Sequence, residues 1–199
     1  MYMNIFVIDS YPYAMFENKD DNQDVLNKVA LFEEMINQKS FTFFDVDDFE
    51  LIIDYYLSVD FSSKAGKALK MGLSQYPNDL ALVLLKVDLL NSSQKFSESF
   101  SILKDIEHLF PNNIDITIAI GKLASILDFP LVAENYIDQA FSLSALDNES
   151  KEILSDIAYE YLQLRLHNKA VNVMKEILSR DPNNETTLLE IGVAFHESN

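Results

Sequence analysis

The chain of 199 residues contains no cysteine, which excludes disulfides, thiolate metal sites and cysteine nucleophiles together. It also holds only 4 glycines and 5 prolines. So few glycines leave little material for a loop that cradles phosphate, and no Walker, dinucleotide-binding or serine-elbow motif occurs. With 48% hydrophobic residues, the composition is that of a compact helical chain with short turns.

Long apolar runs and basic residues are equally scarce. No stretch approaches the ~20 apolar residues of a membrane span. A signal peptide begins with basic residues, and Met1 to Ser10 contains none. The sequence therefore predicts a cytoplasmic protein. The formal net charge of −17 disfavours nucleic acid and acidic membrane surfaces, because both need clustered Lys and Arg, and favours basic partners.

An internal repeat that ends in proline is the main feature that is present. Pro77 and Pro111 are 34 residues apart, and Pro182 follows after 71 more, which is two periods plus three residues. Because proline cannot extend a helix, we expect each proline to end one helix. Asparagine follows each proline, as Asn78 does Pro77, and is expected to cap the next helix. The three extra residues are expected within 144–150.

The last repeat shows the pattern most clearly. Its apolar, small and closing positions are Leu154, Ile157, Ala158, Tyr161, Ala170, Met174 and Pro182. This spacing resembles the tetratricopeptide repeat, with Leu154 where that family prefers tryptophan and Met174 where it prefers phenylalanine. The same spacing recurs from Phe49 to Pro77, from Val83 to Pro111 and, without a closing proline, from Thr117 to Ala140.

The resemblance implies an all-α fold, a right-handed α-solenoid of stacked antiparallel helical hairpins that forms a superhelix. Small residues such as Ala158 and Ala170 would let the two helices of a hairpin approach closely. The expected organisation is an N-terminal arm and capping helix at 1–44, repeats at 45–78, 79–112, 113–149 and 150–184, and the first helix of a fifth repeat or a C-terminal cap at 185–199.

Both ends of the array carry expected helices. The first is an amphipathic helix from Val25 to Gln38, after a polar break at Asn18 to Asn22, whose buried side is formed by Val25, Leu26, Val29, Phe32 and Ile36. Asp45 is expected to cap the helix that follows, with Phe44 and Phe49 at staple spacing.

The last helix, from Glu185 to His196, is too apolar for the polar helix that ends a soluble array. Its apolar residues are Leu188, Leu189, Ile191, Val193 and Phe195. They predict either a longer repeat protein or a homodimer through the C-terminal helix.

In the family that the chain resembles, the first helix of each repeat lines a concave face. The residues expected on this partner-binding groove are Asp47, Glu50, Asp54, Leu57, Leu84, Asp88, Asn91, Asp115, Ile118, Lys122, Glu152, Tyr159 and Leu162. Acids mixed with apolar residues predict a protein or peptide partner that is basic and apolar. They disfavour the grip on a C-terminal carboxylate that some family members achieve with Lys, Arg and Asn.

The resemblance therefore favours a non-catalytic interaction scaffold without cofactor, metal or catalytic residue. One alternative is a metal-dependent enzyme that uses the acidic cluster from Asp45 to Asp54. That cluster lacks the glycine and glutamate of an EF-hand loop, and acids at a helix start also complement the helix dipole. The other alternative is an RNA-binding helical repeat.

Overall fold

A computed structural model describes residues 19–38, 42–144 and 151–197, and within these ranges the chain forms helices and turns without any strand. The expected arm at 1–18 and most of the expected three-residue excess, at 145–150, lie outside the described residues. The helices form two compact bodies. The first body ends at Lys95 and the second begins at Phe96, in the turn after the first helix of the second repeat.

The first body contains the capping helix, one hairpin and one further helix. These are α1 (Lys19–Gln38), α2 (Val46–Ser58), α3 (Ser62–Gln75) and α4 (Leu80–Ser92). Helices α2 and α3 pack as the hairpin, α1 covers α2, and α4 packs on α3 and α2. Phe32, Phe49 and Tyr56 lie fully buried where these helices meet, and they form the centre of this core.

Helix α1 is longer than predicted and buries a different stripe. It begins at Lys19, so no polar break separates residues 19–22 from the helix. Its buried residues are Val25, Val29, Phe32 and Met35. Leu26 and Ile36, expected on this side, are 45% and 38% exposed, so that prediction was wrong for both. Successive steps of four, three and three residues keep the stripe on one helical face, and Leu26 and Ile36 lie beside it.

The start of α2 confirms the local prediction. The Asp48 amide donates to the Asp45 side chain at 2.9 Å, and the Asp45 amide donates to the Asp48 side chain at 3.2 Å. Phe44 and Phe49 pack with ring centroids 5.8 Å apart. A reciprocal cap and a hydrophobic staple together fix where this helix begins.

The caps after the three prolines stand two residues beyond each proline. Asp79 caps α4 by accepting from the Leu82 amide at 3.1 Å, so the prediction that Asn78 caps this helix was wrong. The Asp79 amide donates to the Tyr76 carbonyl at 3.2 Å, which closes a turn around Pro77 and Asn78. The same arrangement places Asn113 and Asn184 as caps of the helices that follow Pro111 and Pro182.

The second body continues the repeat. Its helices are α5 (Phe96–Ile106), followed by a 3-10 turn at Glu107–Leu109, then α6 (Ile114–Ile126), α7 (Pro130–Ser144), α8 (Lys151–Gln163), α9 (His167–Arg180) and α10 (Glu185–Glu197). Helices α6 and α7 form one hairpin, and α8 and α9 form the next. Helix α10 lies where the first helix of a fifth repeat or a C-terminal cap is expected, and the side chain of Phe195 lies outside the described residues.

Small residues hold the hairpins close, as predicted. Ala158 and Ala170 are buried to within 1% of full coverage in the hairpin of α8 and α9. A Cβ atom on Gly121 would lie 2.6 Å from the Ile137 side chain, so α6 and α7 could not approach this closely with a larger residue there.

A tyrosine, a carboxylate and a lysine join neighbouring hairpins. In the second body the Tyr161 hydroxyl donates to Asp138 at 2.7 Å, and the Lys169 ammonium donates to the same carboxylate at 2.6 Å. Tyr161 follows Asp138 by 23 residues. The group therefore links the second helix of one hairpin to both helices of the next.

The first body repeats this group with α1 in place of a second helix. The Tyr56 hydroxyl donates to Glu33 at 2.7 Å across the same separation of 23 residues, and Lys64 pairs with Glu33. Glu33 belongs to α1, so α1 takes the position that the second helix of a preceding repeat would take. The capping helix thus covers the first hairpin with the contacts of the repeat itself.

Candidate functional site

The first helices α2 and α4 lie side by side in the first body and carry most of the residues expected on the groove. Asp47 is exposed, and five further residues are half-buried. These five are Glu50, Asp54, Leu57, Leu84 and Asp88. Together with Asp47 they form what we call the α2/α4 face, which combines four carboxylates with two leucines.

Partial burial perturbs the carboxylates of the α2/α4 face. Burial raises the pKa of Asp88 to about 6 and also raises the pKa of Asp54. Burial raises the pKa of Glu50, and the charges of Asp47, Asp79 and Asp54 add to this rise. In the described part of the chain no ion pair or hydrogen bond reaches the side chains of Glu50, Asp54 or Asp88. The face therefore holds negative charge that is desolvated without compensation.

Asn91, expected on the same stripe, lies beneath it. The residue is 4% exposed, and both polar atoms of its amide lack a hydrogen-bond partner among the described residues. In this conformation the amide is inaccessible, so Asn91 offers a ligand no direct contact.

In the second body the corresponding first helices are α6 and α8. Asp115, Glu152 and Tyr159 are exposed, Lys122 and Leu162 are half-buried, and Ile118 is 6% exposed within the core. The Lys122 ammonium lies 3.3 Å from an Asp156 carboxylate oxygen, which links α6 to α8. Desolvation, followed by the charge of Asp156, raises the pKa of Asp115.

Two residues of α8 that interact with Lys122 were not predicted from the sequence, Asp156 and Glu160. Glu160 is 4% exposed, and burial raises its pKa to about 7, opposed by the charge of Lys122 and assisted by that of Asp156. The signal was available, because Glu160 precedes Tyr161 and the residues before the equivalent positions are Tyr55, Leu89 and Leu123. A carboxylate in a position that is otherwise apolar marks an exception to the repeat.

The structure therefore brings together Asp115 and Lys122 of α6 with Asp156 and Glu160 of α8. We call these four residues the α6/α8 cluster. Among the residues that the structure describes, no group of three or more His, Asp and Glu stands close enough to hold a metal ion. No helix in the described ranges is both long enough and apolar enough to cross a membrane.

Comparisons with known proteins identify the fold of the chain. No protein-family model matches the chain, and no curated protein matches it in sequence. A thermophilic TPR protein from Thermus thermophilus matches in structure with a TM-score of 0.60 and 18% identity, over 87% of this chain and 92% of that one.

Two further solved structures agree with this match. A tetratricopeptide repeat protein from Parabacteroides merdae has a TM-score of 0.66 and 11% identity, over 90% of this chain and 69% of that one. YrrB, a TPR protein with an unusual peptide-binding site, has a TM-score of 0.57 and 14% identity, over 85% and 84%. These matches confirm the predicted fold class, an all-α tetratricopeptide solenoid.

Proposed function

Since the chain has the tetratricopeptide fold, we propose that it is a non-catalytic scaffold that binds a protein segment rich in basic and apolar residues. The binding surface is the face of the first helices, which each body presents separately. Stacked helical repeats bind other chains on such extended surfaces, and the chemistry of the exposed side chains selects the ligand.

The observation that carries this proposal is the set of half-buried carboxylates on the α2/α4 face. Glu50, Asp54 and Asp88 lose hydration and gain no cation within the described residues. A buried charge without a partner is unfavourable, and a cationic ligand would remove that cost. Lys and Arg side chains of a bound segment supply such cations.

Aliphatic side chains beside these acids supply the apolar part of the surface. Leu57 and Leu84 are half-buried on the α2/α4 face, and Leu162 is half-buried in the second body. Tyr159 is 49% exposed and offers a broad aromatic surface with a hydroxyl. Residues of this kind often anchor a bound peptide, because they bury large area at low entropic cost.

A display library of random peptides, selected on the full chain, tests this proposal. We expect enrichment of peptides with Lys or Arg beside large apolar residues. The triple variant Glu50→Gln, Asp54→Asn, Asp88→Asn should weaken their binding at least about tenfold, mainly through slower association, and flatten its salt dependence.

The matched control removes three exposed acids outside these faces, with Glu34→Gln, Asp105→Asn and Glu190→Gln. It changes the net charge by the same amount, so a non-specific electrostatic effect would act on both triple variants alike. Equal binding by the two variants, or selection of acidic peptides, would show that the partner docks elsewhere.

The two alternatives have less support in the described residues. The carboxylates do not converge on a possible metal position there, and the formal net charge of −17 repels RNA phosphates.

A further inference from the structure

Helix α8 differs from the other first helices on the side that faces α6. It carries Asp156 and Glu160, four residues apart and hence on one helical face. The positions equivalent to Asp156 are Leu51, Leu85 and Ala119 in α2, α4 and α6, and Glu190 in α10. Those equivalent to Glu160 are Tyr55, Leu89 and Leu123. Of these first helices α8 alone carries a carboxylate at both positions, since α10 has Ala194 at the position equivalent to Glu160.

Glu160 has an unusual environment for a carboxylate. The residue is 4% exposed, and in the described part of the chain no group donates a hydrogen bond to its carboxylate. Unlike the amide atoms of Asn91, its oxygens are not among the fully covered polar atoms without a partner, so a ligand can reach them. A buried carboxylate without a donor is costly, whereas leucine at this position would simply pack. Stability of the repeat therefore does not account for a glutamate here.

Charge in the α6/α8 cluster is not balanced. Lys122 is the cation that acts on both Asp156, at 3.3 Å, and Glu160. Asp156 in turn acts on Asp115, which contributes a third carboxylate. The cluster therefore contains three carboxyl groups and one ammonium, and a second cation would make its charge more nearly neutral.

No charge of α7 or α9 is among those that act on Glu160. Glu134 and Asp138 of α7 and Lys169 of α9 form a separate group. They bond with one another and with the Tyr161 hydroxyl. The described charges that act on Glu160 are Lys122 of α6 and Asp156 of its own helix.

We propose that the α6/α8 cluster is a binding subsite for one cationic side chain, an arginine in preference to a lysine, of the segment bound by this scaffold. This inference rests on the proposed function and names the side chain that one part of the surface would bind. A planar guanidinium offers five N–H donors in a fixed fork, so it can bond to Glu160 and Asp156 together. A lysine ammonium is a compact point charge that matches two carboxylates less well.

Binding at this subsite is coupled to a proton. Because burial raises the pKa of Glu160 to about 7, a large fraction of this carboxyl is protonated at neutral pH. An arriving guanidinium favours the ionised form and so displaces the proton. Affinity therefore falls as pH decreases below 7, by up to about tenfold between pH 8 and pH 6.

NMR with a small probe tests the subsite directly. The full chain, with ¹³C-labelled glutamate carboxyls, is titrated with N-acetyl-arginine methylamide and with its neutral isostere, N-acetyl-citrulline methylamide. The arginine probe should shift the Glu160 resonance and lower its apparent pKa, and the citrulline probe should do neither. The Glu160 resonance is assigned by its loss in Glu160→Gln.

Two variants of Glu160 separate binding from folding. Glu160→Leu restores the residue of two equivalent positions and should fold normally, and Glu160→Gln removes the charge alone. Each should weaken the arginine probe about tenfold or more, as expected when a charge-assisted hydrogen bond is lost. Glu190→Gln, an exposed acid on α10, should leave probe binding unchanged.

Distinct results would overturn the subsite and the proposed function. Equal responses to both probes, or a larger Glu160 shift with Mg²⁺ than with the arginine probe, would refute the subsite. If arginine-containing display peptides bind and none of them loses affinity with Glu160→Leu, the subsite is refuted while the scaffold function stays intact. A library that yields no binder would refute the scaffold function, and with it any segment that could place an arginine here.

Discussion

At the scale of single residues, Gly121 follows the requirements of the repeat and Glu160 departs from them. Gly121 satisfies the repeat, because a Cβ atom there would meet Ile137 at 2.6 Å and separate α6 from α7. Glu160 violates the repeat, because burial keeps its pKa near 7 at a position that is apolar in the other units. The first residue stabilises the fold, and the second imposes a cost that depends on pH.

The pH dependence of that cost is a testable prediction. The folded state holds the Glu160 proton more tightly than the unfolded state, whose pKa is near the ordinary value. The stabilisation is therefore complete below about pH 4 and is lost as pH rises through 7. Between pH 4 and pH 8 the wild-type chain should lose on the order of 3 kcal/mol of unfolding free energy relative to Glu160→Gln.

Urea denaturation of both proteins across this pH range measures the difference. Glu190→Gln serves as control, because its carboxylate is exposed and its removal should leave the pH profile parallel to the wild type. Parallel profiles for Glu160→Gln and the wild type would show that Glu160 ionises normally in the folded protein.

At the scale of elements, the turn that follows each of α2, α4, α6 and α8 repeats as closely as the helices do. The residues with left-handed backbone in these turns are Asp60, Gln94, Asp128 and Arg165. In each turn the next amide donates back to the first helix, as the Leu166 amide does to the Tyr161 carbonyl at 2.8 Å. The left-handed conformation is required for this bond, and glycine adopts it without the steric cost that other residues carry.

Arg165→Gly should therefore stabilise the protein. Arg165 has φ of 56° and is exposed, so its removal relieves backbone strain without losing buried contacts. Relief of the strain should raise the free energy of unfolding by about 0.5–1 kcal/mol. The greater entropy of glycine in the unfolded chain should reduce this gain.

Thermal denaturation checks this, with Gln163→Gly as the matched control in the last turn of α8. Glycine within a helix should cost about 0.5–1 kcal/mol, so the two variants should shift the melting temperature in opposite directions. A loss of stability in both would mean that the arginine side chain, rather than its backbone, matters in this turn.

At the scale of the whole molecule, charge and one apolar surface govern association. A formal net charge of −17 keeps copies of the chain apart at low salt. On α10, however, Leu188, Leu189 and Val193 are 47%, 73% and 57% exposed. A Cβ atom on Gly192 would meet nothing within 4 Å, so no described residue covers this side of the helix there. Association of two copies through α10 stays a prediction.

Sedimentation of the full chain at moderate salt tests it. We expect a dimer that the double variant Leu189→Glu, Val193→Glu converts to a monomer, because charge on both residues makes burial of α10 unfavourable. Leu131→Glu is the control, since Leu131 is 75% exposed on α7 and lies outside α10. A wild-type monomer, or a dimer that all three proteins share, would count against the C-terminal helix as the interface.

The sequence by itself determined the repeat and its helices. Proline spacing and small residues such as Ala158 and Ala170 predicted the hairpins, because a helix cannot continue through proline without losing a hydrogen bond and two helices approach closely only over small side chains. The same logic placed Asp45 as a cap. Helix capping and periodic burial both depend on residues that are close together in the chain, so they can be predicted from the sequence.

Only the tertiary structure decided which polar residues share an environment. The pairing of Lys122 with Asp156 and the burial of Asn91 and Glu160 depend on how helices from different repeats pack. The buried stripe of α1, which excludes Leu26, likewise depends on what α2 presents to it. Desolvation and charge act between residues that are close in space rather than in sequence. The sequence pattern could therefore predict which residues lie on the face, but not the shifts in their pKa values.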